Sequence, residues 1–131
     1  EDTWPVARIS FPSLGERAIV LHEAGGEAMA FGPAHVAASA KPGARGVSVI
    51  GGHRDTHFRF IKNLKVGDEI VIETPARATL RYRMTGATIV HAGASGIATR
   101  AKSAQLALVT CYPFDAVERG PLRYVVFAEA K

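Results

Sequence analysis

Thr79-Leu80-Arg81-Tyr82-Arg83-Met84 sets Leu80, Tyr82 and Met84 against Thr79, Arg81 and Arg83. That strict alternation is the pattern of a strand with one buried and one wet face. Working outward, Glu69–Glu73 alternates too and stops before Pro75, and Ala87–His91 follows after Gly86. Val6–Phe11 and Ala18–Leu21 are short β-rich runs bracketed by Pro5, Pro12 and Gly15. Val47–Ile50, Gln105–Thr110 and Arg123–Ala128 complete a set of about eight strands.

Helical signal is sparse. Glu27–Phe31 has room for a turn or two, and Thr56–Leu64 reads as a short helix capped by Asp55 or Thr56. Gly32–Arg45 is rich in Gly, Pro, Ala and Ser and reads as a loop. Many short strands with turn residues between them predict a mostly β domain, a barrel or a sandwich.

The chain has 131 residues, 47% of them apolar and 21% charged, which predicts one globular domain. No apolar run approaches the length of a membrane span. The net charge of +4 is spread along the sequence, as on a solvated surface, so no nucleic-acid partner is expected. One cysteine, Cys111, excludes an internal disulfide.

Two stretches carry candidate chemistry. In Val49-Ile50-Gly51-Gly52-His53-Arg54-Asp55-Thr56, an imidazole follows a strand end and two glycines. In Ala107-Leu108-Val109-Thr110-Cys111-Tyr112-Pro113, alternation puts Ala107, Val109 and Cys111 on one face, with Leu106, Leu108 and Thr110 on the other. Arg123 opens the last strand on a face shared with Val125 and Phe127. Each has an ordinary structural reading: a satisfied histidine, a buried thiol, and an arginine snorkelling at a strand end. His57 lies four residues after His53, but no second paired motif completes a ligand set, so no metal is expected. His22, His35 and His91 lack motif context and are assigned to surface or loops.

Gly52-His53-Arg54-Asp55-Thr56, Leu108-Val109-Thr110-Cys111-Tyr112-Pro113 and the C-terminal Arg123 together resemble the signature of the sortases, cysteine transpeptidases that attach proteins to cell surfaces. Trp4–Leu14, Pro42-Gly43 and Asn63-Leu64-Lys65-Val66-Gly67-Asp68 extend the resemblance over nearly the whole chain. The motif versions are similar to class D sortases and to the related Gram-negative class. Gly46-Val47 departs from the Gly-Asn that many relatives carry there.

The resemblance implies a closed, eight-stranded sortase-type β-barrel with short helices, residues 1–131 forming a single catalytic domain. It implies Cys111 as nucleophile, His53 as general acid and base, and Arg123 as donor to the oxyanion. Thr110, Tyr112, Pro113 and His57 would line the substrate, although alternation turns Thr110 away from Cys111. Asp55 would cap the helix or support His53. The implied substrate is a protein with a C-terminal Leu-Pro-x-Thr-Gly-like sorting signal. The implied acceptor is an amine of peptidoglycan or of a protein lysine, and no cofactor is needed. A bacterial, extracytoplasmic location follows, with tethering to the membrane by an N-terminal helix outside these residues. A thiol and an imidazole with ordinary pKa values of about 8.5 and 6.5 form a neutral pair by about a hundredfold, which predicts a modest enzyme. A non-catalytic β-barrel binding module, or another cysteine peptidase or transpeptidase of the envelope, are the alternatives.

Overall fold

A computed structural model describes residues 5–22, 34–36, 39–52, 58–76, 78–91, 101–114 and 120–131. The strands are β1 (Pro5–Phe11), β2 (Glu16–His22), β3 (Ala34–His35), β4 (Gly46–Gly51), β5 (Glu69–Glu73), β6 (Thr79–His91), β7 (Ala104–Tyr112) and β8 (Leu122–Ala130). Their spatial order is β1-β2-β3-β4-β7-β8-β6-β5, and β5 pairs back onto β1. Most pairs are antiparallel, whereas β2–β3 and β4–β7 are parallel. The mostly β reading of the sequence therefore holds.

The eight expected strands correspond to seven. The two runs around Gly86 are one thirteen-residue strand, β6, whose register against β8 shifts between Met84 and Gly86. A bulge absorbs the skipped residue without ending the strand. These seven strands, of five to thirteen residues, make a curled wall. Between β2 and β4, among the described residues, that wall is bridged by the two residues of β3, which fall in the stretch expected to be loop.

Inward-facing side chains fill the barrel. Ile9, Phe11, Ile50, Ile70, Ile72, Tyr82, Leu106, Leu108 and Val126 are fully buried in one cluster. The Tyr82 phenol, pushed above its ordinary pKa by burial, still finds a partner: the Gly43 N–H donates to its oxygen at 2.9 Å. A second cluster, Val47, Ala107 and Val125 with Val49, Val109 and Phe127 packed against it, lies on the opposite face of β4, β7 and β8. The alternation along β7 thus separates Leu106 and Leu108 from Ala107 and Val109 as expected.

The expected helix over 56–64 is, in its described part, a 3-10 helix at Arg59–Asn63. Ile61 and Leu64 donate three residues back, to Phe58 and Ile61, so Phe58, Ile61 and Leu64 share one buried edge at the three-residue period. The expected turn at 27–31 lies outside the described residues.

Candidate active site

Cys111 sits one residue from the end of β7 and lies directly opposite Arg123 of β8. Directly opposed residues of an antiparallel pair point to the same face, with Cβ atoms about 4.5–5.5 Å apart. The pairs Val109–Val125 and Ala107–Phe127 continue that face away from the thiol. A thiol and a cation therefore stand together at the edge of an apolar strip. Pairing in the ladder, not sequence proximity, brings them there.

The Arg123 guanidinium is held by its own turn. Nη1 donates to the Gly120 carbonyl at 2.7 Å and to the Leu122 carbonyl at 2.8 Å. A guanidinium carries five N–H donors, and among the described residues only Nη1 is engaged, in these two bonds. Two bonds to backbone fix the plane of the fork, which suits it to a carbonyl oxygen that gains negative charge during acyl transfer. Cys111 is 7% exposed, so little of its side chain meets solvent.

The third expected member, His53, lies outside the described residues, as do Asp55 and His57. The strand that leads to it is described. Gly51 pairs with Val109, and the Gly52 N–H donates to the Val109 carbonyl at 2.9 Å. β4 therefore ends beside β7, two residues short of Cys111. A Cβ on Gly52 would stand 3.0 Å from the Phe58 ring, so only glycine fits while that ring stays where it is. Phe58 is fully buried and packs edge-on against Phe11 and Phe60.

Thr110 is turned into the barrel, 2% exposed, and its hydroxyl has no hydrogen-bond partner among the described residues. It does not share the Cys111 face. Tyr112 is half-buried in an aromatic cluster. Its ring stacks on Tyr124 at 6.4 Å and meets Phe114 edge-on at 5.3 Å, while Phe114 meets Tyr124 at 5.0 Å. Burial, then the neighbouring Tyr112, raise the Tyr124 phenol above its ordinary pKa. Pro113 is exposed.

Two features were missed from the sequence. Lys62 places its ammonium 5.7 Å from the Phe114 ring centre, which ties the 3-10 helix to the segment after Cys111. His35, assigned to surface or loop, is 5% exposed, and its Nε2 lies 2.8 Å from the Ala40 carbonyl and 3.2 Å from Ser39 Oγ. A carbonyl only accepts, so Nε2 carries the hydrogen. Ser39 Oγ donates to the Val36 carbonyl and accepts from the Val49 N–H, which pins the β3 segment to β4. The two-residue strand hid this: nothing in its own sequence marks it.

The sequence profile of the sortase domain matches residues 9–131. The chain belongs to the sortase family. It is 32% identical over 99 residues to Sortase D of Bacillus subtilis, covering 75% of this chain and 50% of that protein. This sortase-family chain thus spans about half the length of that curated relative. Its fold is similar to that of Sortase A from Corynebacterium diphtheriae, with a TM-score of 0.87 at 27% identity over 98% of this chain and 61% of that one. The fold also resembles a Clostridium perfringens sortase C described with the C-terminal cell wall sorting motif, with a TM-score of 0.88 at 20% identity over 100% and 72% of the two chains.

Proposed function

We propose that this chain is the catalytic part of a cysteine transpeptidase that cleaves a C-terminal Leu-Pro-x-Thr-Gly-like sorting signal and passes the acyl group to an amine. The observation that carries the reading is the cross-strand pair of Cys111 and Arg123 at the end of β7 and β8. Membership of the sortase family supports it. So does the likeness in fold to a sortase C described with a sorting motif.

In this reading Cys111 gives its thiol proton to His53, and the resulting thiolate sulfur attacks the carbonyl carbon of the signal's threonine. The carbonyl π electrons move to oxygen, where the N–H groups of Arg123 receive the charge. The tetrahedral species collapses to a thioester as the C–N bond breaks, and His53 gives the departing nitrogen its proton. The incoming amine then attacks the thioester, loses its proton to His53 and expels the thiolate. The acceptor is an amine of peptidoglycan or of a protein lysine, and water is the slow substitute. The protein works on the outer side of a bacterial membrane, tethered through an N-terminal helix.

A second reading has a specific observation behind it. The 7% exposure of Cys111 and the commitment of Arg123 Nη1 to two carbonyls also fit a barrel that binds without reacting. Incubation with a labelled sorting peptide and an amine separates the two. Cleavage and amine-linked product that vanish in Cys111→Ser support the transpeptidase. No turnover of any sorting peptide, with a thiol inert to alkylation in the folded protein, refutes it.

A further inference from the structure

Cys111 stands where the ladder of β7 and β8 runs out. Tyr112 is the last residue of β7, and Pro113, which has no N–H to donate, follows it. Strand ends open more readily than strand centres, whereas acyl transfer tolerates little misplacement of the reacting groups. A rung at this position therefore needs a hold besides its own ladder.

That hold lies on the opposite face. Tyr112 follows Cys111 and Tyr124 follows Arg123, so both rings project to the side of the ladder away from the thiol, where Tyr124 packs against the main core. Tyr124 is opposite Thr110 and Tyr112 is opposite Leu122, which makes the two tyrosines diagonal neighbours across the strands. Their rings stack at 6.4 Å, and Phe114 meets both edge-on, at 5.3 and 5.0 Å. The three rings straddle the Cys111–Arg123 rung from behind.

Phe114 has a further partner. The ammonium of exposed Lys62 lies 5.7 Å from its ring centre, within cation–π range. Lys62 belongs to the 3-10 helix, and Phe58, the N-cap of that helix, is fully buried against Phe11 and Phe60. Phe58 also lies so close to Gly52 that a Cβ there would stand 3.0 Å from its ring. The 3-10 helix thus touches the end of β4 through Phe58 and the segment after Cys111 through Lys62.

We propose that Lys62 is a positioning residue: by holding Phe114 it fixes the rings behind the Cys111–Arg123 rung relative to the end of β4, and so sets the rate at which Cys111 is acylated. The proposal rests on the transpeptidase reading. Lys62 touches no reacting atom; its cation acts through an aromatic face. A guanidinium can therefore replace the ammonium, and a neutral side chain of similar length cannot.

The test is single-turnover acylation of the chain by a sorting peptide, read by acid quench and intact mass over a range of peptide concentrations. Rates are taken well below each variant's Tm. Lys62→Met is expected to lower the limiting rate about three- to fivefold, with the half-saturating peptide concentration unchanged. Lys62→Arg is expected to bring the rate back to within about twofold of the parent. In a Phe114→Leu chain, itself expected to be slower, Lys62→Met should lower the rate no further, because the ring it acts through is gone. Lys65→Met removes another exposed cation nearby and should change the rate less than about twofold. Equal losses in Lys62→Met and Lys65→Met, or in Lys62→Met with and without Phe114, mean a general effect of charge and overturn the proposal. So does a change confined to the half-saturating concentration, which makes Lys62 a substrate contact, or a Lys62→Arg chain as slow as Lys62→Met. A parent chain that never acylates removes the transpeptidase reading and this proposal with it, whereas acylation at the parent rate in Lys62→Met removes this proposal alone.

Discussion

Gly52→Ala tests whether the packing behind the candidate site sets its geometry. The new methyl would lie 3.0 Å from Phe58 Cγ and Cδ2 and 3.3 Å from its Cβ. Ordinary carbon contacts begin near about 3.5 Å, so the ring or the backbone must give by a few tenths of an ångström. The ring has no free side to move into: Phe58 is 0% exposed and meets Phe11 and Phe60 edge-on at 6.3 and 6.1 Å. Overpacking of this kind costs about 1–3 kcal/mol, and the lost freedom of the unfolded chain returns about 0.4–1 kcal/mol. A net loss of about 1–2 kcal/mol is expected, or a fall in Tm of roughly 4–8 °C for a domain of this size. The same push reaches residue 53 through one peptide bond. Since about 1 Å of misplacement costs about a hundredfold in rate, kcat/KM for a sorting peptide is expected to fall about tenfold. Thermal melts and transpeptidation rates, measured well below the variant's Tm, read the two effects separately. Phe58→Leu in the same chain should relieve the clash, giving a coupling above about 0.5 kcal/mol in a double-mutant cycle. Unchanged stability and rate in Gly52→Ala, with no coupling to residue 58, would refute the reasoning.

Three further outcomes follow from buried and surface polar groups. Thr110→Val replaces a hydroxyl that is 2% exposed and unpartnered among the described residues, so stability should rise by about 1 kcal/mol in chemical denaturation with kcat/KM kept within about threefold; a large loss of rate would show that the hydroxyl turns to the substrate. Burial raises the Tyr82 pKa above its ordinary 10.0, so its contribution to stability is full below that value and is lost as pH rises through the folded-state value. Denaturation from neutral pH into the alkaline range should show this loss, and Tyr82→Phe should flatten it while costing about 1 kcal/mol at neutral pH for the orphaned Gly43 N–H. Glu69 is held below its ordinary pKa by hydrogen bonds from Arg81, then Lys131, so those contacts persist above 4.5 and fade as pH falls below it; the Glu69 carboxylate signal in an NMR titration checks this and should move toward the ordinary value in Arg81→Ala.

The strands were legible because each is amphipathic by itself: the Leu80, Tyr82, Met84 side of β6 packs inward without help from other elements. β6 was read as two strands because Gly86 interrupts that pattern, whereas a bulge lets the ladder with β8 continue past it. β3 was illegible because its two residues are held by distant partners, β2, β4 and the Ser39 hydroxyl. The same division runs through the site. The shared face of Cys111 and Arg123 could be read from alternation along two strands joined by a short loop. The aromatic cluster of Tyr112, Phe114 and Tyr124 could not, since it needs the β7–β8 register.

The central claim is that residue 111 becomes acylated with the guanidinium of residue 123 at its side. Intact-mass spectrometry of the chain, acid-quenched after mixing with a sorting peptide in the absence of an amine, tests it directly. The expected result is an added mass equal to the peptide acyl group, mapped to Cys111, absent in Cys111→Ala and formed at least tenfold more slowly in Arg123→Gln. An unmodified Cys111 with every sorting peptide offered, or an adduct that forms equally fast without Arg123, would contradict the account.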